Sequence, residues 1–326
     1  VRVLVASADA VLAVDPESPD RPAVLGLERR KPVSLAVDHA GRVWCGTFGH
    51  GLFVTGDGGE TWEPAGLEGR QVTAIAVGAA VLYAGTEPSA VFRSDDGGAT
   101  WHELEGLLRL PSAPTWSFPP RPDTHHVRCI VVGPLDPERI HVAIEAGALV
   151  RSRDGGRSWE DRVPGSPIDS HAIATHAAAP ERLWAAAGDG WFESQDGGDT
   201  WRSPDGGLAD GYCWGVAVDS ANPEVVVLSA ALGPRSAHQV SAAESRVYRR
   251  EDAGPWRRVE AGLPEPRGTT TAVLAADPVR GGVFWAASNR GLTISEDDGR
   301  SWRSLEIAWP AGFGKSRVNA LALLRD

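Results

Sequence analysis

Five of the nine histidines in this 326-residue chain, His50, His125, His126, His171 and His238, fall at the same ends of apolar β-type runs, beside Glu87, Glu145 and Tyr212. Imidazole and carboxylate exchange protons near neutral pH and are also the common ligands of Zn, Mn and Fe. In the same set Arg128 and Arg317 can grip an anionic group, and Trp116 and Trp214 offer rings for stacking. Three readings are compatible with these residue types. The first is an acid–base pocket: Glu145 or Glu87 as catalytic carboxylate, His126, His171 and Tyr212 as proton-transfer groups, and Arg128, Arg317, Trp116, Trp214, His50 and His238 as substrate contacts. The second is a divalent metal, with His126, His171 and Glu145 as ligands. In the third, polar loop ends merely solvate one face. No His-x-x-x-His spacing supports a metal locally. His125 and His126, adjacent in an extended segment, point opposite ways, so at most one faces the shared space.

The elements that must position these residues are set by a repeat. Runs ending in tryptophan recur at Asp57-Gly-Gly-Glu-Thr-Trp62, Asp96-Gly-Gly-Ala-Thr-Trp101, Asp154-Gly-Gly-Arg-Ser-Trp159, Asp196-Gly-Gly-Asp-Thr-Trp201 and Asp297-Asp-Gly-Arg-Ser-Trp302. A worn sixth copy is Glu251-Asp-Ala-Gly-Pro-Trp256, and the tryptophans are 39, 58, 42, 55 and 46 residues apart. Asp-Gly-Gly between β runs is a hairpin turn: glycine supplies positive φ, and the aspartate binds neighbouring amides. Two further apolar runs precede each turn, at 33–37 and 43–46, 72–77 and 81–85, 127–132 and 140–144, 172–177 and 183–186, 213–218 and 225–228, and 271–276 and 283–287. Four strands in roughly 40 to 50 residues make one propeller blade.

The termini supply a seventh blade. Residues 317–323 read as an innermost strand with nothing after it, while 1–6, 11–14 and 23–27 read as the three strands that lack one. Pairing them closes the ring and removes exposed sheet edges. The expectation is an all-β fold: one seven-bladed β-propeller domain over 1–326, with insertions at 105–125 and 230–246. Loops that long without a repeat of their own are usually functional.

The boxes resemble the bacterial neuraminidase (BNR, Asp-box) repeat of sialidases, sortilin-type receptors, xyloglucan hydrolases and photosystem II stability-factor-like proteins. The likeness covers essentially the whole chain and implies architecture more than activity. It implies that Asp57, Asp96, Asp154, Asp196 and Asp298 are structural, on the rim away from any active site. It also implies tests that the chain does not meet. A sialidase carries an early Arg-Ile-Pro, three arginines and a tyrosine–glutamate pair. Here Arg162-Val-Pro164 is the nearest string, and Tyr212 is the one tyrosine at the expected channel. A true sialidase is therefore not expected. Other glycosidases need two carboxylates, which Glu87 and Glu145 could supply, with Asp123 and Asp189 in reserve.

Composition narrows the partners. A net charge of −11 and no basic run longer than Arg29-Arg30-Lys31 argue against nucleic acid. No apolar stretch approaches a membrane span. The start turns polar too early for a secretory leader, so a cytoplasmic protein is expected, with secretion open if a leader was trimmed. Cys45, Cys129 and Cys213 lie far apart inside apolar runs and read as buried thiols. The resulting expectation is a hydrolase-like propeller that acts on or binds a glycan or small polar metabolite at the channel mouth. Two alternatives stay open: a binding scaffold for a protein or peptide, and a metal-dependent enzyme.

Overall fold

A computed structural model describes residues 1–18, 21 and 23–325. In it each box closes a hairpin through its aspartate. Asp57 accepts from the Thr61 amide at 2.9 Å, Asp96 from Thr100 at 2.9 Å, Asp154 from Ser158 at 2.8 Å and Asp196 from Thr200 at 2.9 Å. Both glycines of each of these turns have positive φ, as at Gly155 (70°) and Gly156 (89°). The last box corrects the sequence register. Asp297, not Asp298, caps the turn by accepting from the Ser301 amide at 2.9 Å. Asp298 instead takes the left-handed position at φ 60°, which a short polar side chain tolerates.

The strands form seven antiparallel sheets. Their innermost strands are Pro32–Val37, Gln71–Val77, Val127–Val132, Ser170–His176, Tyr212–Val218, Val273–Ala276 and Ala320–Leu324. Blades are numbered 1 to 7 in that order. Blade 7 joins the chain ends: Ala320–Leu324 pairs with Arg2–Ala6 in the register Arg2↔Leu324 to Ala6↔Ala320. Its expected outer strand is shorter than the sequence indicated, at Val24–Gly26. Five blades have four strands. In blades 3 and 4 the outer strand shrinks to single bridges, Arg151↔Glu160 and Glu193↔Arg202. Short outer strands leave little free edge for unwanted pairing.

Burial follows position in the blade. Second strands such as Ile140–Ile144 and Phe284–Ser288 are buried throughout, because a neighbouring blade covers each face. Innermost strands such as Pro32–Val37 are half-buried, because they line the central channel. Box tryptophans tie successive blades together: Trp101 donates to Ala65 O at 2.9 Å and Trp159 to Glu105 O at 3.2 Å. Among the described residues no helix is long and apolar enough to cross a membrane.

Candidate functional site at the channel mouth

Residues from all seven innermost strands line a lower throat of about 230 Å³. Above it the channel widens into a cavity of about 640 Å³, walled by Glu87, His126, Arg128, Glu145, Asp169, Tyr212, Trp214, His238 and Arg317, among others. Both insertions reach it. Residues 105–125 make two short 3-10 turns and then bring Phe118, Pro119, Pro120 and Arg121 over the opening. Residues 230–246 include the five-residue helix Pro234–His238, whose two ends line the wall.

Glu145 sits just past the second strand of blade 3, and His126 just before that blade's innermost strand. His126 Nε2 lies 2.9 Å from Glu145 Oε2, and Arg128 Nε lies 3.4 Å from the same oxygen without hydrogen-bond geometry. Burial works against the charge of Glu145. The His126 hydrogen bond and the Arg128 charge outweigh it and hold the carboxyl down at about 2. Glu145 is therefore a fixed anion, and a weak base toward water.

Two further carboxylates and a histidine complete the polar wall. Glu87 is claimed by Arg121 of the first insertion, at 2.8 and 2.5 Å. Arg121 also stacks over Phe48 and Phe118, at 5.4 and 4.8 Å. Asp169 stands two residues before His171, and its Oδ2 lies 3.6 Å from His171 Nε2. Burial pushes the Asp169 carboxyl up, against the His171 charge, and pushes the His171 imidazole down. His171 Nδ1 lies 2.7 Å from the carbonyl of Cys213. A carbonyl only accepts, so Nδ1 carries the proton.

The adjoining wall is aromatic and cationic. Trp214 is buried, with Arg128 at 4.6 Å and Arg317 at 5.4 Å from its ring. Among the described residues no carboxylate pairs with Arg317. Its guanidinium is enclosed by protein yet reached by solvent, as expected on the wall of a water-filled cavity. Burial, then the charge of Arg128, lowers its pKa from the ordinary arginine value. Tyr212 Oη lies 3.0 Å from His238 Nε2. Burial raises the phenol of Tyr212 and, with Arg317, pushes His238 down to about 3.

Three sequence candidates lie elsewhere. Trp116 is buried in the core of blades 2 and 3, donating to Ser112 Oγ at 3.0 Å, because the first insertion folds its ring inward. It offers no face to the cavity. His125 packs edge-on against Trp116 at 5.7 Å while His126 lines the wall. His50 lies 3.4 Å from Arg30, beyond the lining. Asp169 and Arg121 were missed. Asp169 falls outside the aligned position just before each innermost strand, although its i, i+2 spacing from His171 puts both on one side of an extended segment.

A sequence model of the BNR/Asp-box repeat matches residues 92–103, the hairpin containing Asp96 and Trp101. No curated protein matches. Among solved structures, the GH74 enzyme of Niastella koreensis superposes with a TM-score of 0.71 at 16% identity, over 94% of this chain and 52% of that one. YCF48 bound to a D1 peptide superposes with a TM-score of 0.57 at 16% identity, over 83% and 80%. YCF48 from Cyanidioschyzon merolae gives 0.57 at 15%, over 83% and 84%. The chain thus spans about half the length of the GH74 enzyme. Identities this low establish the fold alone. The protein is a seven-bladed β-propeller built on BNR/Asp-box repeats.

Proposed function

We propose that the channel mouth binds a small polar metabolite through an anionic group, and that the protein acts on it as a hydrolase. The observation that carries this reading is Arg317: a guanidinium with no carboxylate partner among the described residues, set on Trp214 at the wall of the mouth cavity. A guanidinium without a protein partner, reached by solvent, is free to pair with an anionic ligand. About 640 Å³ suits a ligand of one or two rings. Glu145, Asp169 and His126 line the same space and supply groups able to orient and polarise water.

A second reading has its own support. The rim formed by Phe118, Pro119 and Pro120 is apolar, and YCF48, a neighbour in fold, has been solved bound to a D1 peptide. A peptide-holding platform would use that rim rather than Arg317.

The test compares glucuronate and glucose 6-phosphate with glucose, reading thermal stabilisation of the wild type and of Arg317→Met. Stabilisation by the charged ligands alone, lost in the variant, supports the anion site. Equal responses to all three remove it. Cleavage of nitrophenyl glucuronides or phosphates is then read on the same proteins. Binding without turnover reduces the protein to a binding platform.

A further inference from the structure

We propose that Glu145, Asp169 and His171 form a binding site for a divalent transition-metal ion at the floor of the mouth cavity, with Mn, Fe(II) or Zn as the fitting ions. The proposal rests on the anion-binding reading only for what lies beside the site; the ligand set stands by itself.

Each of the three residues presents one ligand atom, and these atoms lie within 4.8 Å of one another. The orientation of His171 makes the cluster more than a chance meeting of acids. Its side chain is fully buried, and its Nδ1 proton is committed to Cys213 O at 2.7 Å. That leaves Nε2 as a lone pair, and this buried atom has no hydrogen-bond partner. It faces Asp169 Oδ2 at 3.6 Å. A backbone carbonyl holding one imidazole nitrogen so that the other is offered as a ligand is the usual support of a metal-binding histidine.

The carboxylates are anchored in the same way. Asp169 Oδ1 accepts from the Ala146 amide at 2.9 Å, and Glu145 Oε2 is held by His126. Asp169 thus keeps Oδ2 for the cluster, and His171 Nε2, an Asp169 oxygen and a Glu145 oxygen converge as three electron-rich atoms. Electrostatically, that space calls for a cation.

Gly188 lets the Asp169 carboxylate sit close against the backbone. A Cβ at this position would lie 2.0 Å from Asp169 Oδ2 and 3.2 Å from His171 Cε1. Its backbone lies outside the left-handed region, so steric space, not backbone conformation, requires glycine.

The dimensions fit. Tetrahedral ligands at about 2.1 Å from zinc stand about 3.4 Å apart, close to the 3.6 Å between His171 and Asp169. Glu145 must close by at most about 1.4 Å, from the 4.8 Å limit of the cluster to about 3.4 Å. One imidazole with two carboxylates suits Mn, Fe(II) and Zn, and three protein ligands leave positions open toward the cavity.

The experiment uses the full chain purified without a metal column, stripped with EDTA and titrated with MnCl2 and ZnCl2 by calorimetry, with bound metal counted by mass spectrometry. The expected result is one equivalent bound to the wild type. Affinity should fall at least about 100-fold in His171→Ala and in the near-isosteric Asp169→Asn, and stay unchanged in Asp154→Ala, whose carboxylate is held in a box turn. Melting curves confirm that each variant is folded, and Asp169→Asn serves if His171→Ala is not. Absence of binding to the wild type, or unchanged binding in Asp169→Asn, overturns the proposal. Glucuronate stabilisation in EDTA reads the anion site separately, so its persistence without metal binding sinks the metal site alone.

Discussion

Arg128 and Arg317 come from blades 3 and 7, yet both place their guanidinium over the single indole of Trp214, at 4.6 and 5.4 Å. Arg128 has Glu145 beside it; among the described residues Arg317 has no carboxylate. The Arg317 side chain is exposed, so solvent screens most of the repulsion from Arg128. Arg317→Met should therefore leave stability nearly unchanged while lowering affinity for a carboxylate or phosphate ligand at least tenfold. Chemical denaturation and ligand titration of one preparation read both quantities. A variant that is less stable and binds equally well would show Arg317 to be structural.

Arg121 latches the first insertion over the cavity. It joins Glu87 by two hydrogen bonds and lies between Phe48 and Phe118. Glu87 is buried while Arg121 is half exposed, so solvent weakens the pair and its loss should cost about 1–2 kcal/mol. Arg121→Ala should free residues 117–124, seen as faster amide exchange there and faster cleavage by a protease. Exchange confined to wild-type rates would mean that the backbone bonds of this segment, such as Phe118 to Thr124 at 2.9 Å, hold it without the latch.

The fold was legible because its information is local. Asp-Gly-Gly and the following Ser/Thr-Trp make the same few hydrogen bonds wherever they occur, so five copies announce five hairpins, and the unpaired runs at the ends announce the closing blade. Where the local pattern was ambiguous, the reading slipped: Asp297-Asp298 offered two aspartates, and only the turn geometry shows which one caps it. The site was legible in part. The aligned strand ends and loop tips brought Glu145, His126, Arg128, Tyr212, Trp214 and Arg317 to one cavity, with His171 in the throat below it. The insertions obey no repeat, so nothing in the pattern revealed that Trp116 turns into the core or that Arg121 claims Glu87.

The box aspartates are expected to act on stability alone. Asp154 accepts from the Ser158 amide at 2.8 Å, from Ser158 Oγ at 2.6 Å and from Ser152 Oγ at 2.8 Å. Those bonds hold its carboxyl down at about 2. Solvent shares this carboxylate, so Asp154→Ala should cost only about 1 kcal/mol. Ligand and metal binding should be unchanged. A loss of either in a folded Asp154→Ala protein would contradict a purely structural role for the boxes.

The acid limb of stability should carry the signature of His141. This side chain is buried in the second strand of blade 3, with Nε2 3.1 Å from Gly197 O across the interface to blade 4. Burial, with help from Arg151, holds its pKa down at about 4 against an ordinary 6.5. The unfolded chain therefore binds the proton more readily than the folded one. The stability from the neutral ring is fully present above pH 6.5 and is lost as the pH falls toward 4. A gap of this size amounts to about 3 kcal/mol at most. His141→Gln keeps a donor for Gly197 O but does not titrate. Urea unfolding from pH 7 to pH 4.5 should fall more steeply for the wild type than for His141→Gln, with the curves parallel above pH 7. Parallel curves throughout would mean that His141 enters the folded state already protonated, and that the blade 3–4 interface holds a cation there.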